Sequence, residues 1–365
     1  MKDRVACLGF GALTPLGQTA SLTYEAVREG KSALRPVAPD SPLGPNGVFS
    51  LFEDRSVLDG YSFFDTISIK AASQAVESSG IDPASPRVLF ILSTIKGNIE
   101  SLGSDEKKYS IAESARRIAS YFHNPNPPLV VSNACISGLD AILQGRRTLL
   151  SGKFDNVVVI GVEVQSRFIA SGFNALKTVS SSPCRPFDES RDGLNLGEAA
   201  AAIVLGFSED GWEVADGAVR NDAYHISSPS RTGEGSYKAL RYVLESIGTG
   251  EISFVNVHGT STLFNDEMEA VALHRAGLGD VPVNSLKGYF GHTMGAAGVL
   301  ESIISIFECE DGTVLPTKGF SALGVSRPIR VSASAQPCEG RAFIKLLSGF
   351  GGVNGALLFK KGGLS

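Results

Sequence analysis

The sequence predicts an α/β protein made of two similar βαβαβ lobes, and three observations carry that prediction. Short runs that are apolar on both faces, such as Val157-Val158-Val159-Ile160-Gly161, alternate with helical patterns, as central strands alternate with crossover helices. The second half repeats the element order of the first, with strand, small-residue turn and long apolar helix at Val130…Cys135…Ile142 and again at Val283…His292…Ile304. Polar residues with chemical potential fall at the C-terminal ends of predicted strands, where open α/β sheets hold their ligands. The lobes are placed at residues 1–207 and 208–365, packed back to back. Residue-level repetition is not visible, so the duplication rests on element order.

Taken in order, Arg4-Val5-Ala6-Cys7-Leu8-Gly9-Phe10-Gly11 reads as a buried strand entering a glycine turn, with a helix from about Ser21 to Glu29. Position 14 is Thr rather than the third glycine of a dinucleotide fingerprint, so no nucleotide cofactor is expected. Residues 36–47, with four prolines and two glycines, form a loop. An Ala-rich helix spans about Ser62 to Ser79, a strand spans Val88–Ser93, and a helix between Ile111 and Phe122 is stopped by Asn124-Pro125-Asn126-Pro127-Pro128. After the Cys135 turn comes a helix with Leu139, Ile142, Leu143 and Leu149-Leu150 on one face, then Val157–Gly161, read as a central parallel strand. Polar Arg185–Gly193 precedes a buried strand, Ala199–Leu205. The second half gives a helix near Gly235–Ile247, strands Phe254–Val257 and Val281–Asn284, and a helix from Ala296 to Phe307. It closes with strands Phe343–Leu347 and Gly355–Phe359 around Gly349-Phe350-Gly351-Gly352.

Composition narrows the function. With 365 residues, 43% hydrophobic and 19% charged, the chain can bury a large core. A net charge of -5 has the wrong sign for a protein that neutralises nucleic-acid phosphates. The apolar runs fall short of the roughly 20 residues that span a bilayer, and no secretory leader opens the chain, so a cytoplasmic protein is expected. Cys7, Cys135, Cys184, Cys309 and Cys338 show no CxxC spacing, and HExxH is absent; neither disulfides nor a metal is expected.

Cys135 lies in the turn between an apolar strand and a helix. Free N–H groups and the helix dipole favour negative charge there, which predicts a thiol pKa below the usual value of about 8.5. Taken alone, a cysteine at this position is more often a buried packing residue than a nucleophile. His258, in Val257-His258-Gly259-Thr260-Ser261-Thr262, and His292, in Gly291-His292-Thr293-Met294-Gly295-Ala296-Ala297-Gly298, stand at strand ends, with Lys287 five residues before His292. Gly259, Gly291, Gly295 and Gly298 predict places where backbone approaches a ligand closely or takes positive φ. A papain-like hydrolase does not fit the residues flanking Cys135 and leaves Lys287 without a task.

Together these motifs resemble the elongating beta-ketoacyl-ACP synthases. The likeness is carried by Asn133-Ala134-Cys135-Ile136-Ser137-Gly138, by His258–Thr262 with Asp266 and Glu269, by Lys287 through Gly298 with Glu301, and by Gly349-Phe350-Gly351-Gly352-Val353-Asn354. Arg185-Pro186-Phe187-Asp188, Arg191-Asp192-Gly193, Gly197-Glu198 and the opening Gly9–Gly17 extend it over nearly the whole chain. The resemblance implies a thiolase-like fold layered α-β-α-β-α, no cofactor, and acyl carrier protein as partner, loaded with an acyl or a malonyl group. It implies that Cys135 takes the acyl chain as a thioester, and that His258 and His292 hold the malonyl thioester oxygen as carbon dioxide leaves. Backbone N–H groups of Cys135 and Phe350 would form a second oxyanion hole, and the Phe350 ring a gate between half-reactions. Lys287 would act through Glu301, or electrostatically on the thiol or the imidazoles. The second histidine resembles elongating rather than initiating synthases.

The sequence also departs from the family. Arg55-Ser56-Val57-Leu58-Asp59-Gly60-Tyr61 replaces a basic stretch that relatives use to meet the carrier protein, and the segments 97–133 and 177–185 are short. Lys107-Lys108, Arg116-Arg117 and Arg146-Arg147 remain as candidate carrier contacts. A reduced synthase of this kind resembles those of aryl-polyene and aromatic polyketide pathways. It is expected either as a homodimer or as a heterodimer with a ketosynthase-like chain-length factor. Two rival functions are such a non-catalytic subunit itself, which loses the nucleophile, and a thiolase-fold acyltransferase without decarboxylation, which has no need of two histidines.

Overall fold

The computed structural model describes residues 4–38, 40–44, 47–101 and 110–362. Its frame is ten principal strands. The first half supplies β1 (Val5–Leu13), β2 (Val88–Ser93), β3 (Leu129–Val131), β4 (Asn156–Glu163) and β5 (Ala199–Phe207). The second supplies β6 (Trp212–Asn221), β7 (Ile252–Asn256), β8 (Pro282–Asn284), β9 (Ala342–Gly349) and β10 (Val353–Lys361). With a short edge strand, Arg330–Val331, they form one sheet in the order edge-β8-β7-β9-β10-β6-β1-β5-β4-β2-β3. Outward from the β6–β1 junction, where Ala6 pairs with Glu213 and Cys7 with Trp212, both halves follow the order first, fifth, fourth, second, third. Directions match as well: the fifth strand is antiparallel to the first and the fourth, and the fourth, second and third run parallel. This is the duplication that element order predicts.

Six helices complete the layers: α1 (Phe63–Ser79), α2 (Ile111–Tyr121), α3 (Ser137–Leu150), α4 (Glu234–Leu244), α5 (Leu263–Arg275) and α6 (Ala297–Glu310). Strand side chains alternate between faces, and here both faces are covered. In the first half Leu89, Ile91, Val157, Val159, Ala201 and Ile203 join a central core with Leu139, Ile142 and Leu143 of α3 and Val299, Leu300 and Ile303 of α6. Their alternates Phe90, Leu92, Val158, Ile160 and Val204 meet Ile67 and Ala71 of α1 and Ile118 of α2. In the second half Phe343, Leu347, Leu357 and Phe359 face the same central core, while Ile344, Leu346 and Leu358 meet Leu240 of α4 and Leu273 of α5. The stack is therefore α1/α2, half-sheet, α3/α6, half-sheet, α4/α5. Each large apolar side chain removed from water contributes roughly 1.5–3 kcal/mol, so the α3–α6 layer binds the halves together.

Local chemistry sets the ends. Ser62 Oγ accepts from Asp65 N at 3.0 Å to cap α1, and Gly80, at φ 69°, ends it. The two central helices carry no such side-chain cap; Ile136 and Ala296 stand at their N-cap positions. Among the described residues no helix is long and apolar enough to cross a membrane.

Several elements differ from expectation. β4 is parallel to β2 but antiparallel to β5, so it is not a wholly parallel central strand. Leu150, placed on the buried face of α3, is exposed. β6, α5 and the pocket-lining helix Arg167–Ala175 were not expected from the sequence.

Candidate active site

Each catalytic candidate leaves the C-terminal end of a strand. Cys135 follows β3 and opens α3; His292 follows the equivalent strand β8 and precedes α6; His258 follows β7; Lys287 begins the turn after β8. Because α3 and α6 lie side by side in the central layer, their starting turns meet. The Cys135 sulfur and a ring nitrogen from each of His258 and His292 lie within 4.8 Å of one another. The two imidazoles pack edge to face, with ring centroids 4.9 Å apart. His292 Nδ1 accepts from Met294 N at 3.3 Å, which leaves its proton on Nε2, a buried atom without a hydrogen-bond partner among the described residues.

Backbone strain gathers at this junction. Ala134, Ser261 and Met294, all non-glycine, take φ of 47°, 66° and 44° beside Cys135, His258 and His292. Such conformations cost of order 1–3 kcal/mol each and persist where surrounding structure fixes them. Gly259 and Gly291 also have positive φ, 48° and 70°. A Cβ on Gly295 would stand 2.7 Å from Glu163 Oε2 and from Thr94 Cα. One on Gly298 would stand 2.6 Å from Gly138 C, so these two glycines serve close approach.

The electrostatics correct one expectation. Burial pushes the Cys135 thiol up to about 12, despite the lowering influence of Lys287 and of the Phe350 and Cys135 N–H groups. Those N–H groups favour the thiolate, but desolvation by burial outweighs them. The thiol therefore rests neutral and must lose its proton as it reacts. Burial, then the charge of Lys287, hold both imidazoles well below the ordinary histidine value, with Lys345 adding to the effect. Both are neutral bases and donors. Lys287 Nζ donates to Glu301 Oε1 at 2.6 Å. Burial alone would raise Glu301, but Lys287 and Lys345 together hold it below the usual carboxylate value.

Two cavities meet at Cys135. One, of about 460 Å³, is lined by Ile95, Phe168, Ile169, Leu176 and Met294; the other, of about 100 Å³, by His258, His292, Thr260, Thr262 and Asn265. Phe350 and Phe173 border both, with ring centroids 5.7 Å apart. Both are lined mainly by apolar surface; the first is sized for a hydrophobic chain, and the second has the two imidazoles in its wall.

Residues 60–210 match "Beta-ketoacyl synthase, N-terminal domain" and residues 212–321 match "Beta-ketoacyl synthase, C-terminal domain". The chain belongs to the beta-ketoacyl synthase family. It is 30% identical to the 3-oxoacyl-[acyl-carrier-protein] synthase 2 of Vibrio cholerae over 99% of both chains, and 25% identical to nodulation protein E of Rhizobium meliloti over 99% of this chain and 100% of that one. In fold it is similar to a beta-ketoacyl synthase from Burkholderia phymatum (TM-score 0.89, 23% identity, 98% of this chain and 99% of that one). It is also similar to the ketosynthase ApeO in complex with its chain length factor ApeC from Xenorhabdus doucetiae (TM-score 0.90, 23% identity, 98% of each chain). The fold is thus thiolase-like.

The rest of the synthase explains the remaining motifs. His292 N donates to Asn195 O at 2.7 Å and Gly197 N to His292 O at 3.0 Å, so the 195–197 segment of the first half holds the His292 backbone. Arg185 N donates to Ser261 Oγ at 2.8 Å, and Phe187 N to Asp266 Oδ2 at 2.7 Å, fixing the loop after His258. Glu269 accepts from His258 N and Gly259 N, both at 2.7 Å. Sequence reasoning missed Glu163, whose carboxylate takes Gly295 N at 2.9 Å and Ile95 N at 3.0 Å, and Lys345 on β9. A lone acid closing Val157–Val162 and a lone lysine inside an apolar run were the available signals.

Of the four candidate carrier contacts among the described residues, three have partners within the chain. Arg117 pairs with buried Asp65 at 2.7 Å, Arg116 with Glu113 at 2.8 Å, and Arg146 donates to the carbonyls of Val214 and Ala215. Arg55 is tied to buried Glu198 at 3.0 Å, and Arg147 is exposed. Lys107 and Lys108 lie outside the described residues.

Proposed function

We propose that this synthase, an acyltransferase of fatty acid or polyketide biosynthesis, joins a Cys135-bound acyl group to malonyl-acyl carrier protein by decarboxylative Claisen condensation. The observation that carries the reading is the meeting of one thiol and two neutral imidazoles, within 4.8 Å, where two cavities share Cys135 and Phe350.

In the first half-reaction the thiol proton passes to a neutral imidazole and the sulfur attacks the acyl thioester carbonyl. The N–H groups of Cys135 and Phe350 take the resulting oxyanion, and the carrier thiol leaves with the proton. In the second, malonyl thioester loses carbon dioxide. The electron pair of the broken C–C bond moves into an enolate whose oxygen is held by His258 and His292. Its carbon attacks the acyl-Cys135 carbonyl, the C–S bond breaks, and the sulfur leaves as a thiolate that takes up a proton from solvent. The Phe350 ring, against Phe173, gates the two cavities, and Lys287 and Glu301 hold the site's charge.

The 1–207 and 208–365 lobes each supply one side of this site, the nucleophile and the imidazoles with Lys287. The synthase works in the cytoplasm as a dimer, and the aryl-polyene arrangement with a chain-length-factor partner fits best. What supports a dimer is the exposure of Leu129 and Val130 on edge strand β3, and of Phe168 and Leu176, which line the large cavity. An uncovered apolar edge is a pairing surface. The test is carbon dioxide release from malonyl-acyl carrier protein. It should fall about 10²–10³-fold on replacing either His258 or His292 by Ala, the loss typical of one oxyanion-hole donor. Undiminished release in both variants contradicts the reading.

A further inference from the structure

Lys345 is a buried cation that none of these steps employs. It is the one charged residue in β9, Ala-Phe-Ile-Lys-Leu-Leu-Ser-Gly, and its side chain is wholly buried. It shares the inward face of β9 with Phe343 and Leu347, and pairs in register with Asn256 of β7. Its Nζ donates to Asn256 Oδ1 at 2.5 Å, to the Val257 carbonyl at 3.3 Å, and to Glu301 Oε2 at 2.5 Å. The other oxygen of Glu301 takes Lys287. One carboxylate thus bridges two lysines, and a Lys287–Glu301 pair that would otherwise be neutral carries an extra positive charge. A buried charge that shares its ion-pair partner with a second cation is costly, and retaining one calls for a use.

We propose that Lys345 is a positioning residue for decarboxylation, tying Glu301 and Lys287 to the strand end that carries His258 and adding positive charge beneath the imidazole pair. The inference rests on the decarboxylating reading of the site. Val257, whose carbonyl Lys345 holds, immediately precedes His258, so the anchor acts on one histidine through the adjoining backbone and on the other through Glu301 of α6. The charged and titratable groups around the pair are Lys287 from the turn after β8, Glu301 from α6, Lys345 from β9, Glu269 from α5, Glu163 from β4 and Cys135 before α3. Among these the two lysines disfavour imidazolium and favour the enolate anion. Desolvation, with Lys287 and then Lys345, holds both histidines low, and burial lowers Lys345 itself to about 8.

The test compares the half-reactions in Lys345→Met, which keeps length without charge, and Lys345→Gln, which keeps a hydrogen bond. Carbon dioxide release should fall about 10-fold or more, with its acidic limb moved to higher pH, while acyl loading of Cys135, read by intact mass, changes by about 2-fold at most. Equal loss of both half-reactions with an unmoved limb would mark a merely structural residue and overturn the proposal. So would wild-type release in both variants. If the Met variant does not fold, the Gln variant carries the comparison. A wild-type enzyme that neither loads acyl groups nor releases carbon dioxide would instead defeat the reading of the site.

Discussion

Replacing Gly298 by Ala tests whether the site is assembled where α3 and α6 begin. The added methyl would stand 2.6 Å from Gly138 C and 2.9 Å from Leu139 Cα, both backbone atoms that no side-chain rotation can clear. Carbon atoms pack at about 3.5–4.0 Å, so the two helix mouths must part by about 1 Å. Overpacking of this kind costs about 1–3 kcal/mol. Unfolding entropy of about 2.1 cal/mol/K per residue, over 365 residues, gives about 0.8 kcal/mol per degree. The melting temperature should therefore drop by only about 1–4 °C. Catalysis should suffer more, because Cys135 rides on one mouth and His292 on the other, and a misplacement of about 1 Å costs about 10²-fold. Thermal melting and steady-state condensation with acyl- and malonyl-carrier protein read both effects. A folded variant condensing at the wild-type rate would refute the claim that this junction sets the distance between nucleophile and imidazole.

Two further outcomes follow from the buried charges. Glu301→Gln removes the carboxylate shared by Lys287 and Lys345, and stranding buried charge costs about 3–5 kcal/mol. By the same conversion the melting temperature should fall about 4–6 °C, and a loss under about 1 °C would mean the lysines find other partners. Alkylation of Cys135 by iodoacetamide, followed by intact mass in the ligand-free enzyme, should keep accelerating from pH 7 to pH 10, since burial pushes its thiol up to about 12. A plateau near neutral pH would reveal a preformed thiolate.

The legible part of this fold was what obeys local periodicity. The Val157–Gly161 run announced β4, and the strand–turn–helix grammar around Cys135 and His292 announced the duplication, because both are short-range patterns. α5 was hidden because its pattern is inverted: Leu263 and Phe264 are exposed while Asp266 and Glu269 are buried, holding loop N–H groups. β6 was hidden because Asp216 and Gly217 interrupt its apolar alternation. At the site, glycines flagged the close approaches, whereas the positive φ of Ala134, Ser261 and Met294 leaves no compositional trace. The helix-mouth argument for Cys135 captured a local field but not burial, which depends on Phe350 and Phe173 arriving from distant segments. Lys345 and Glu163 were missed for the same reason, since their partners are long-range.

The central claim, that the Cys135 sulfur accepts the acyl chain, is tested most directly by intact-protein mass spectrometry after incubation with a panel of acyl-carrier proteins. The wild-type chain should gain one acyl mass, and Cys135→Ala should gain none. An adduct that persists undiminished in Cys135→Ala would place the acyl group on another residue and remove the basis of the mechanism.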